Sequence, residues 1–215
     1  MKISALVTAS IVPLFVFTLA ACDNDPAKGK TQVSANAPLA ATAAPSSAVK
    51  YTFSNVDSRI DFVGAKVTRK HDGSFQNFTG TVKLVDDDPT KSSVSADIDV
   101  ASLKADEEKL TGHLKSPDLL DVAKHPKATF ASTSIKAGGE KGATHTVTGN
   151  FQLHGITKSI SFPAIVKPSA NAVDVDAEFV INRKDFGIVY PGMPDDLIKD
   201  EVLLKLHIHA RRGDV

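Results

Sequence analysis

Few side chains in this sequence could do chemistry, and they are spaced far apart. His207 and His209 lie two residues apart, a spacing that can hold a metal ion on one face of a strand. Asp86 to Asp88 could hold calcium. The histidines, however, alternate with apolar residues in a way that suits a solvated strand face, and Pro89 favours a polar turn after the aspartates. We therefore predict no metal site and no cofactor.

Catalytic motifs are missing as well. The sequence has no G-x-S-x-G elbow, no P-loop, no dinucleotide-binding glycine pattern and no H-E-x-x-H. Its 25 Lys and Arg residues balance its 25 Asp and Glu residues, so the formal net charge is zero. A neutral chain gives no general reason to expect a nucleic-acid partner. We predict a protein that is not an enzyme and does not bind nucleic acid.

The single cysteine follows a segment typical of a bacterial export signal. Met1-Lys2 is positively charged, Ile3 to Leu19 is almost wholly apolar, and small residues come next. The stretch Leu19-Ala20-Ala21-Cys22 resembles the lipobox of bacterial lipoproteins, which implies cleavage after Ala21 and acylation of Cys22. We predict a signal peptide over residues 1–21 and a membrane anchor on Cys22, typically palmitate-bearing. Ordinary cleavage that leaves an idle thiol is the alternative.

The next segment differs in composition. Residues 23–48 are mostly Ala, Ser, Thr, Asn and Pro without apolar periodicity, and such a stretch buries too little surface to offset its ordering entropy. We predict that the lipidated cysteine and a flexible tether occupy residues 22–49 and hold a periplasm-facing domain over residues 50–212. Asp23, directly after Cys22, resembles the signal that retains lipoproteins in the inner membrane of enteric-type bacteria, so we expect that destination.

Alternation of apolar and polar residues dominates the domain and predicts one-sided β-strands. The strands are predicted at residues 51–54, 58–68, 74–85, 94–100, 127–136, 146–153, 159–166, 173–181 and 202–209. A short helix is predicted over Ala105–Leu114, because acidic residues come first, basic residues follow and two leucines are four residues apart. A turn is predicted after it at Ser116-Pro117-Asp118. The fold class is therefore all-β: an antiparallel barrel of about eight strands, or a sandwich, with a helical insert near residues 105–120 over one end.

Five segments of this domain form a recognisable series along the chain. They are Gly73–Gly80, His113–Phe130, Val147–Lys158, Ile181–Gly187 and Asp200–Val202. In this order they resemble the YceI-like lipid/polyisoprenoid-binding family, over essentially all of residues 50–210. The resemblance implies an extended lipocalin-like barrel that holds a long isoprenoid chain, such as a quinone tail or a polyprenyl carrier. The sequence departs from the family at Phe62–His71 and at Leu119-Leu120, where the family often has two phenylalanines; both departures concern the cavity mouth.

The predicted lipid contacts are apolar residues at inward strand positions and in the helical insert. They are Phe62, Phe78, Leu114, Leu119, Phe130, Phe151, Phe162, Ala164, Ala177, Phe179, Phe186 and Leu204. Lys66, His71, His113 and Arg183, near the expected barrel end, are predicted head-group contacts, with capping or surface roles as the alternative.

The interior of an eight-stranded barrel is just wide enough for its own side chains or for one slim ligand. The first alternative to lipid carriage is therefore a dry, filled barrel acting as an envelope interaction or stress-response module. A second is an electron-transfer accessory linked to heme or a quinone. A homodimer is left open.

Overall fold

The computed structural model describes residues 25–40 and 47–213. The predicted signal peptide, Cys22 and Asp23 lie outside the described residues. The strands of the described part are β1 Val49–Ser54, β2 Arg59–Ala65, β3 Lys70–Phe75, β4 Phe78–Val85, β5 Asp88–Asp99, β6 Leu103–Ala105, β7 Lys127–Ala137, β8 His145–Leu153, β9 Ile156–Pro168, β10 Ala172–Asn182, β11 Gly192–Met193, β12 Asp196–Leu197 and β13 Glu201–Arg212. The α-helix is α1 Glu108–Lys115, and 3-10 turns lie at Val100–Ser102, Glu140–Gly142 and Arg183–Phe186.

Eight strands close into an antiparallel barrel, which confirms the predicted fold class. Their order is β1-β4-β5-β7-β8-β9-β10-β13, and β13 pairs back with β1 at Arg211 and Arg212. The first half of β13 pairs instead with β2, which continues into β3 and β6. Strands of 11 to 13 residues, such as β9, β10 and β13, make a wall roughly 35 Å long.

One predicted strand is two strands in the structure. The apolar pattern predicts a single strand over residues 74–85, but the chain bends at Gln76 and Asn77 between β3 and β4. The hydroxyl oxygen of Ser102 accepts hydrogen bonds from both backbone N–H groups at the bend, at 3.1 Å and 2.9 Å. The bend is therefore stabilised by a residue 25 positions away, which a local sequence pattern does not register.

The helical insert lies where the sequence places it, with α1 starting three residues after the predicted start. Thr111 is the buried residue of α1, and its hydroxyl donates to the Glu107 carbonyl at 3.0 Å and accepts from the Ala105 N–H at 2.9 Å. These bonds join α1 to the end of β6. Turns over residues 116–124 then bring the buried Leu119 and Leu120 into the core.

The N-terminal segment over residues 25–40, here called the strap, packs against the barrel and bridges β9 and β10. This differs from the flexible tether that its composition predicts. The strap makes isolated β-bridges, Gln32 with Val180 and Asn36 with Ser159, and it buries Val33 in the main core. Backbone hydrogen bonds and one apolar side chain suffice to dock it, and composition reports neither. Among the described residues, no helix combines the length and apolar character that crossing a bilayer requires.

Candidate binding cavity

The barrel encloses a long apolar cavity of about 610 Å³. This volume lies within the range of roughly 300–1,000 Å³ that is usual for small-molecule sites. Nearly every strand of the barrel contributes inward aliphatic or phenylalanine side chains to its wall. Such a lining offers dispersion contacts but few hydrogen bonds, so it suits a hydrocarbon chain.

Glycines in the wall let phenylalanine rings lie flat against it. Phe62 covers Gly73 on β3, and Phe53 covers Gly80 on β4, in direct cross-strand register. Phe130 covers Gly149 from a diagonal position, because Gly149 pairs with Ser132 and Phe130 with Phe151. A Cβ at any of these three glycines would overlap the ring that covers it. Because the rings lie along the wall, they narrow the cavity less than rings directed at the barrel axis would.

Most of the predicted lipid contacts line the cavity. These are Phe62, Leu114, Leu119, Phe130, Phe151, Phe162, Phe179 and Leu204. The other four are buried behind the wall: Phe78, Ala164, Ala177 and Phe186. The period-two pattern identifies inward positions, but neighbouring side chains cover these four; the Phe186 ring, for example, meets the edge of Phe151 at 5.3 Å between centroids.

The polar part of the cavity lies at one end, here called the mouth. The mouth is bounded by α1, the end of β2 and the loop over residues 187–200, which carries the β11–β12 hairpin. His113 of α1 meets Tyr190 of the loop edge-on, with ring centroids 5.2 Å apart. Backbone bonds from Val67 N–H to the Leu197 carbonyl, at 3.1 Å, and from Lys199 N–H to the Ala65 carbonyl, at 2.8 Å, attach the loop to β2.

Basic side chains line the mouth, and the carboxylates that balance them lie behind the lining. The basic residues are Lys66, His71, Lys109, His113, Arg183 and Lys199, and no Asp or Glu is among the described residues of the lining. Five of them pair with carboxylates: Lys66 with Asp196, His71 with Asp106, His113 with Asp118, Arg183 with Asp200 and Lys199 with Asp25. The Lys109 side chain makes no hydrogen bond or ion pair with any described residue. The cavity side of the mouth therefore presents hydrogen-bond donors.

Arg183 is more a structural clamp than a free head-group contact. Its side chain is 5% exposed, and it donates to the Ile188 carbonyl at 2.6 Å and to the Lys199 carbonyl at 3.1 Å. A further nitrogen donates to an Asp200 carboxylate oxygen at 3.1 Å. Burial lowers the pKa of Arg183, and the negative charge of Asp200 opposes that shift. Arg183 thus holds the loop over the mouth.

The two histidines predicted at the mouth differ in how strongly they are held. His71 is buried, its Nε2 accepts from Arg69 Nε at 3.1 Å, and its Nδ1 therefore carries the proton that it donates to Asp106 at 3.0 Å. His113 is half-buried and contacts Asp118 through Nε2 alone, at 3.3 Å. His113 therefore has a free ring nitrogen for a ligand, whereas His71 is engaged on both sides.

Sequence reasoning missed three polar residues of the mouth: Lys109, Tyr190 and Lys199. Lys109 precedes His113 by four residues, and residues at that spacing share one face of a helix. The helix prediction could therefore have identified it. Tyr190 and Lys199 lie in an irregular loop whose sequence has no periodicity, so no local signal was available for them.

Asp196 is the carboxylate that ties the β11–β12 hairpin to β2. It accepts from the Thr68 hydroxyl at 2.9 Å and pairs with Lys66 Nζ at 3.2 Å. Burial raises the pKa of Asp196, but hydrogen bonds from Thr68 and Lys66 outweigh burial and hold the pKa below its ordinary value. A depressed carboxylate pKa stabilises the fold above the unfolded-state value of about 3.9, and that stabilisation is lost as the pH falls through the lower folded-state value.

We expect the hairpin to loosen in acid for this reason. The methyl signals of Met193 and Leu197 in NMR spectra should shift with a midpoint below about pH 3.9. The substitution Asp196→Asn keeps the shape of the side chain but removes the titrating group, so it should abolish this transition. An unchanged transition in Asp196→Asn would contradict the assignment to Asp196.

The two metal-like patterns in the sequence have other roles in the structure. His207 pairs with Asp176 at 2.7 Å, and His209 pairs with Asp174 at 2.5 Å, between β13 and β10. Asp86 to Asp88 form the turn between β4 and β5, where hydrogen bonds from Thr90 lower the pKa of Asp88. Within residues 25–40 and 47–213, no group of three or more His, Cys, Asp or Glu side chains could hold a metal ion.

Similar proteins share both the sequence and the fold. UPF0312 proteins of Pseudomonas putida strain W619 and Pseudomonas syringae pv. tomato are each 35% identical, over 143 and 147 residues, which is 64% of this chain and 72% of each relative. The crystal structure of Burkholderia cenocepacia BcnA has a TM-score of 0.63 at 24% identity, covering 72% of this chain and 97% of BcnA. A structure described as a polyisoprenoid binding domain from Saccharophagus degradans has a TM-score of 0.61 at 15% identity, covering 77% and 99%. The family model for the YceI-like domain matches residues 51–210. The chain therefore belongs to the YceI-like domain family.

Proposed function

We propose that this protein binds and carries a long-chain isoprenoid lipid, without catalysis. The observation that carries the proposal is the cavity of about 610 Å³, whose wall is apolar along the barrel and basic at the mouth. The family membership and the related domain described as polyisoprenoid binding support the same ligand class. A branched prenyl chain would lie among the phenylalanines, with its head group at the mouth.

The mouth favours a head group that accepts hydrogen bonds. Lys109 lacks a partner among the described residues, and His113 has a free ring nitrogen. Phosphate oxygens and quinone carbonyls both accept hydrogen bonds, but only a phosphate adds negative charge. A polyprenyl phosphate should therefore bind more tightly than the corresponding prenyl alcohol.

Binding of solanesol, a long prenyl alcohol, and of solanesyl phosphate tests this proposal. After incubation and gel filtration, we expect about one equivalent of each lipid to stay bound per chain. The phosphate should reach this occupancy at a lower lipid concentration than the alcohol. Because exposed ion pairs contribute only about 0.2–1 kcal/mol, Lys109→Gln should weaken binding of the phosphate by roughly 1.4- to fivefold. Lys136→Gln, at an exposed site outside the cavity lining, is the matched control. Retention of neither lipid would refute the proposed function.

We further propose that the protein is an exported lipoprotein that faces the periplasm, held in the inner membrane by acylated Cys22. The lipobox-like sequence before Cys22 and the aspartate after it support this placement. A membrane anchor would keep the carrier beside the bilayer in which isoprenoid lipids dissolve.

Replacing Cys22 tests the anchor. Cys22→Ala should abolish incorporation of labelled palmitate and leave the precursor uncleaved, or the product free of the membrane. Leu19→Ala is a milder control that weakens the signal but keeps the acceptor thiol. Palmitate labelling that persists in Cys22→Ala would contradict the anchor. Recovery of the wild-type protein in the outer-membrane fraction of a density gradient would contradict inner-membrane retention.

A further inference from the structure

The barrel has a weak seam between β9 and β10. These strands pair over four residue positions, from Ile165 with Asp176 to Pro168 with Val173. By contrast, β10 and β13 pair over eleven positions, and β8 and β9 pair over nine. Residues 156–164 of β9 and 177–182 of β10 therefore face each other without direct pairing.

The strap closes this seam. Val180 on β10 donates its N–H to the Thr31 carbonyl at 2.8 Å and accepts from Val33 N–H at 2.9 Å. On the other side, Ser159 of β9 exchanges two backbone hydrogen bonds with Asn36, at 2.9 Å and 3.0 Å. The strap thus supplies backbone partners to both strand edges that the seam would otherwise expose.

The seam opens onto the cavity wall. Ile160 on β9 and Ile181 on β10 flank it and both line the cavity. Val33 of the strap is 6% exposed and belongs to the same core cluster as these residues. Val33 therefore completes the barrel at the place where β9 and β10 separate.

The strap is held less firmly than a barrel strand. Val33 is its one buried side chain among the described residues, and the ion pair of Lys30 with Glu178 is solvent-exposed. Exposed ion pairs contribute little, and a segment with few buried apolar contacts opens at low free-energy cost. We therefore expect the strap to separate from the barrel at a lower free-energy cost than a barrel strand.

The strap also begins close to the expected membrane surface. Asp25, paired with Lys199 beside the mouth at 3.1 Å, follows Cys22 by three residues, a span of at most about 10 Å. If Cys22 is acylated, this end of the seam lies near the lipid head groups. A lipid that leaves the bilayer there arrives beside the mouth and the adjoining end of the seam.

We propose that the seam between β9 and β10 is a lateral entrance to the cavity and that the strap is its gate; this inference rests on the proposed function. When residues 31–36 lift, a prenyl chain enters sideways from the bilayer. The mouth is a poor route for an apolar chain because polar pairs such as Lys66 with Asp196 and His71 with Asp106 surround it. Entrance through the seam avoids threading the hydrocarbon past these polar groups.

A reversible disulfide tests the gate. Asn36 and Ser159 form a hydrogen-bonded antiparallel pair, whose Cα atoms lie about 5.5 Å apart, within the range of disulfides. The double variant Asn36→Cys/Ser159→Cys should therefore lock the strap when oxidised. Thr148→Cys/Ser161→Cys, across β8 and β9 on the outer face, is the matched control, because those hydroxyls already lie 2.7 Å apart.

The readout is uptake of a prenyl alcohol bearing a diazirine, supplied in phosphatidylcholine vesicles and crosslinked by light at successive times. The full chain, with Cys22 kept, should label at least tenfold more slowly when the strap is locked, and reduction should restore the rate. The control disulfide should not change the rate. Equal rates with the strap locked and free would overturn the gate while leaving lipid binding intact. No labelling of the cavity in any variant would overturn both the gate and the proposed function.

Discussion

Arg183→Met should lower the free energy of unfolding by about 3 kcal/mol and release the loop over the mouth. Removing one partner of a buried ion pair costs about 3–5 kcal/mol, and the lower end applies because Asp200 is 32% exposed. The carbonyls of Ile188 and Lys199 lose their donors at the same time. Urea unfolding measures the loss of stability, and at roughly 2–4 °C per kcal/mol the melting temperature should fall by about 6–12 °C.

The neighbouring lysine provides the control for this prediction. Lys184 also pairs with Asp200, at 2.8 Å, but its side chain is 49% exposed. Because surface ion pairs contribute about 0–1 kcal/mol, Lys184→Met should change the free energy of unfolding by less than about 1 kcal/mol. Equal losses in the two variants would show that Arg183 is not the clamp of the loop.

Gly64→Phe should abolish lipid binding while leaving the fold intact. Gly64 lies on β2 in register with His71 and lines the cavity, and a Cβ added there meets no atom within 4 Å. A phenylalanine ring at this position therefore enters the cavity instead of crowding a packed core. The melting temperature should hold or rise, since glycine within a strand costs stability, while retained solanesol should fall below a tenth of the wild-type amount.

Two further variants separate blocking from unfolding. Gly64→Ala adds a single methyl group and should bind nearly as well as the wild type. Ala164→Phe adds the same ring at a position behind the wall that is 1% exposed, so it should destabilise the protein by about 1–3 kcal/mol. Full binding by a folded Gly64→Phe variant would place the ligand outside the cavity.

The sequence was sufficient to predict the barrel but not the distinction between cavity wall and filled core. The alternation of apolar and polar residues identifies inward positions, so it places Phe162 and Phe179 correctly on the cavity wall. Their rings are stacked there with centroids 4.3 Å apart. Ala164 and Ala177 share this alternation, yet they are buried behind the lining. Whether an inward side chain reaches the cavity depends on its cross-strand neighbours, and register is not contained in a local pattern.

The roles of the polar residues were harder to predict, because they depend on contacts between residues that are distant in sequence. Arg183 binds carbonyls of the loop that follows its own 3-10 turn, whereas its expected position near the barrel end suggested a head-group contact. The strap shows the same limit: Thr31 and Asn36 dock through backbone hydrogen bonds, which any residue except proline can donate. A segment rich in Ala, Ser and Pro can therefore be ordered by a partner that already offers open strand edges.

Mass spectrometry of organic extracts shows whether the cavity of the native protein holds an isoprenoid lipid. The wild-type protein and the Gly64→Phe variant would be purified gently from the native host, and the lipid in each extract identified and quantified per mole of protein. We expect about one equivalent of a long isoprenoid lipid in the wild-type extract and almost none in the Gly64→Phe extract. Extracts without any isoprenoid, or with equal amounts from both proteins, would contradict this expectation.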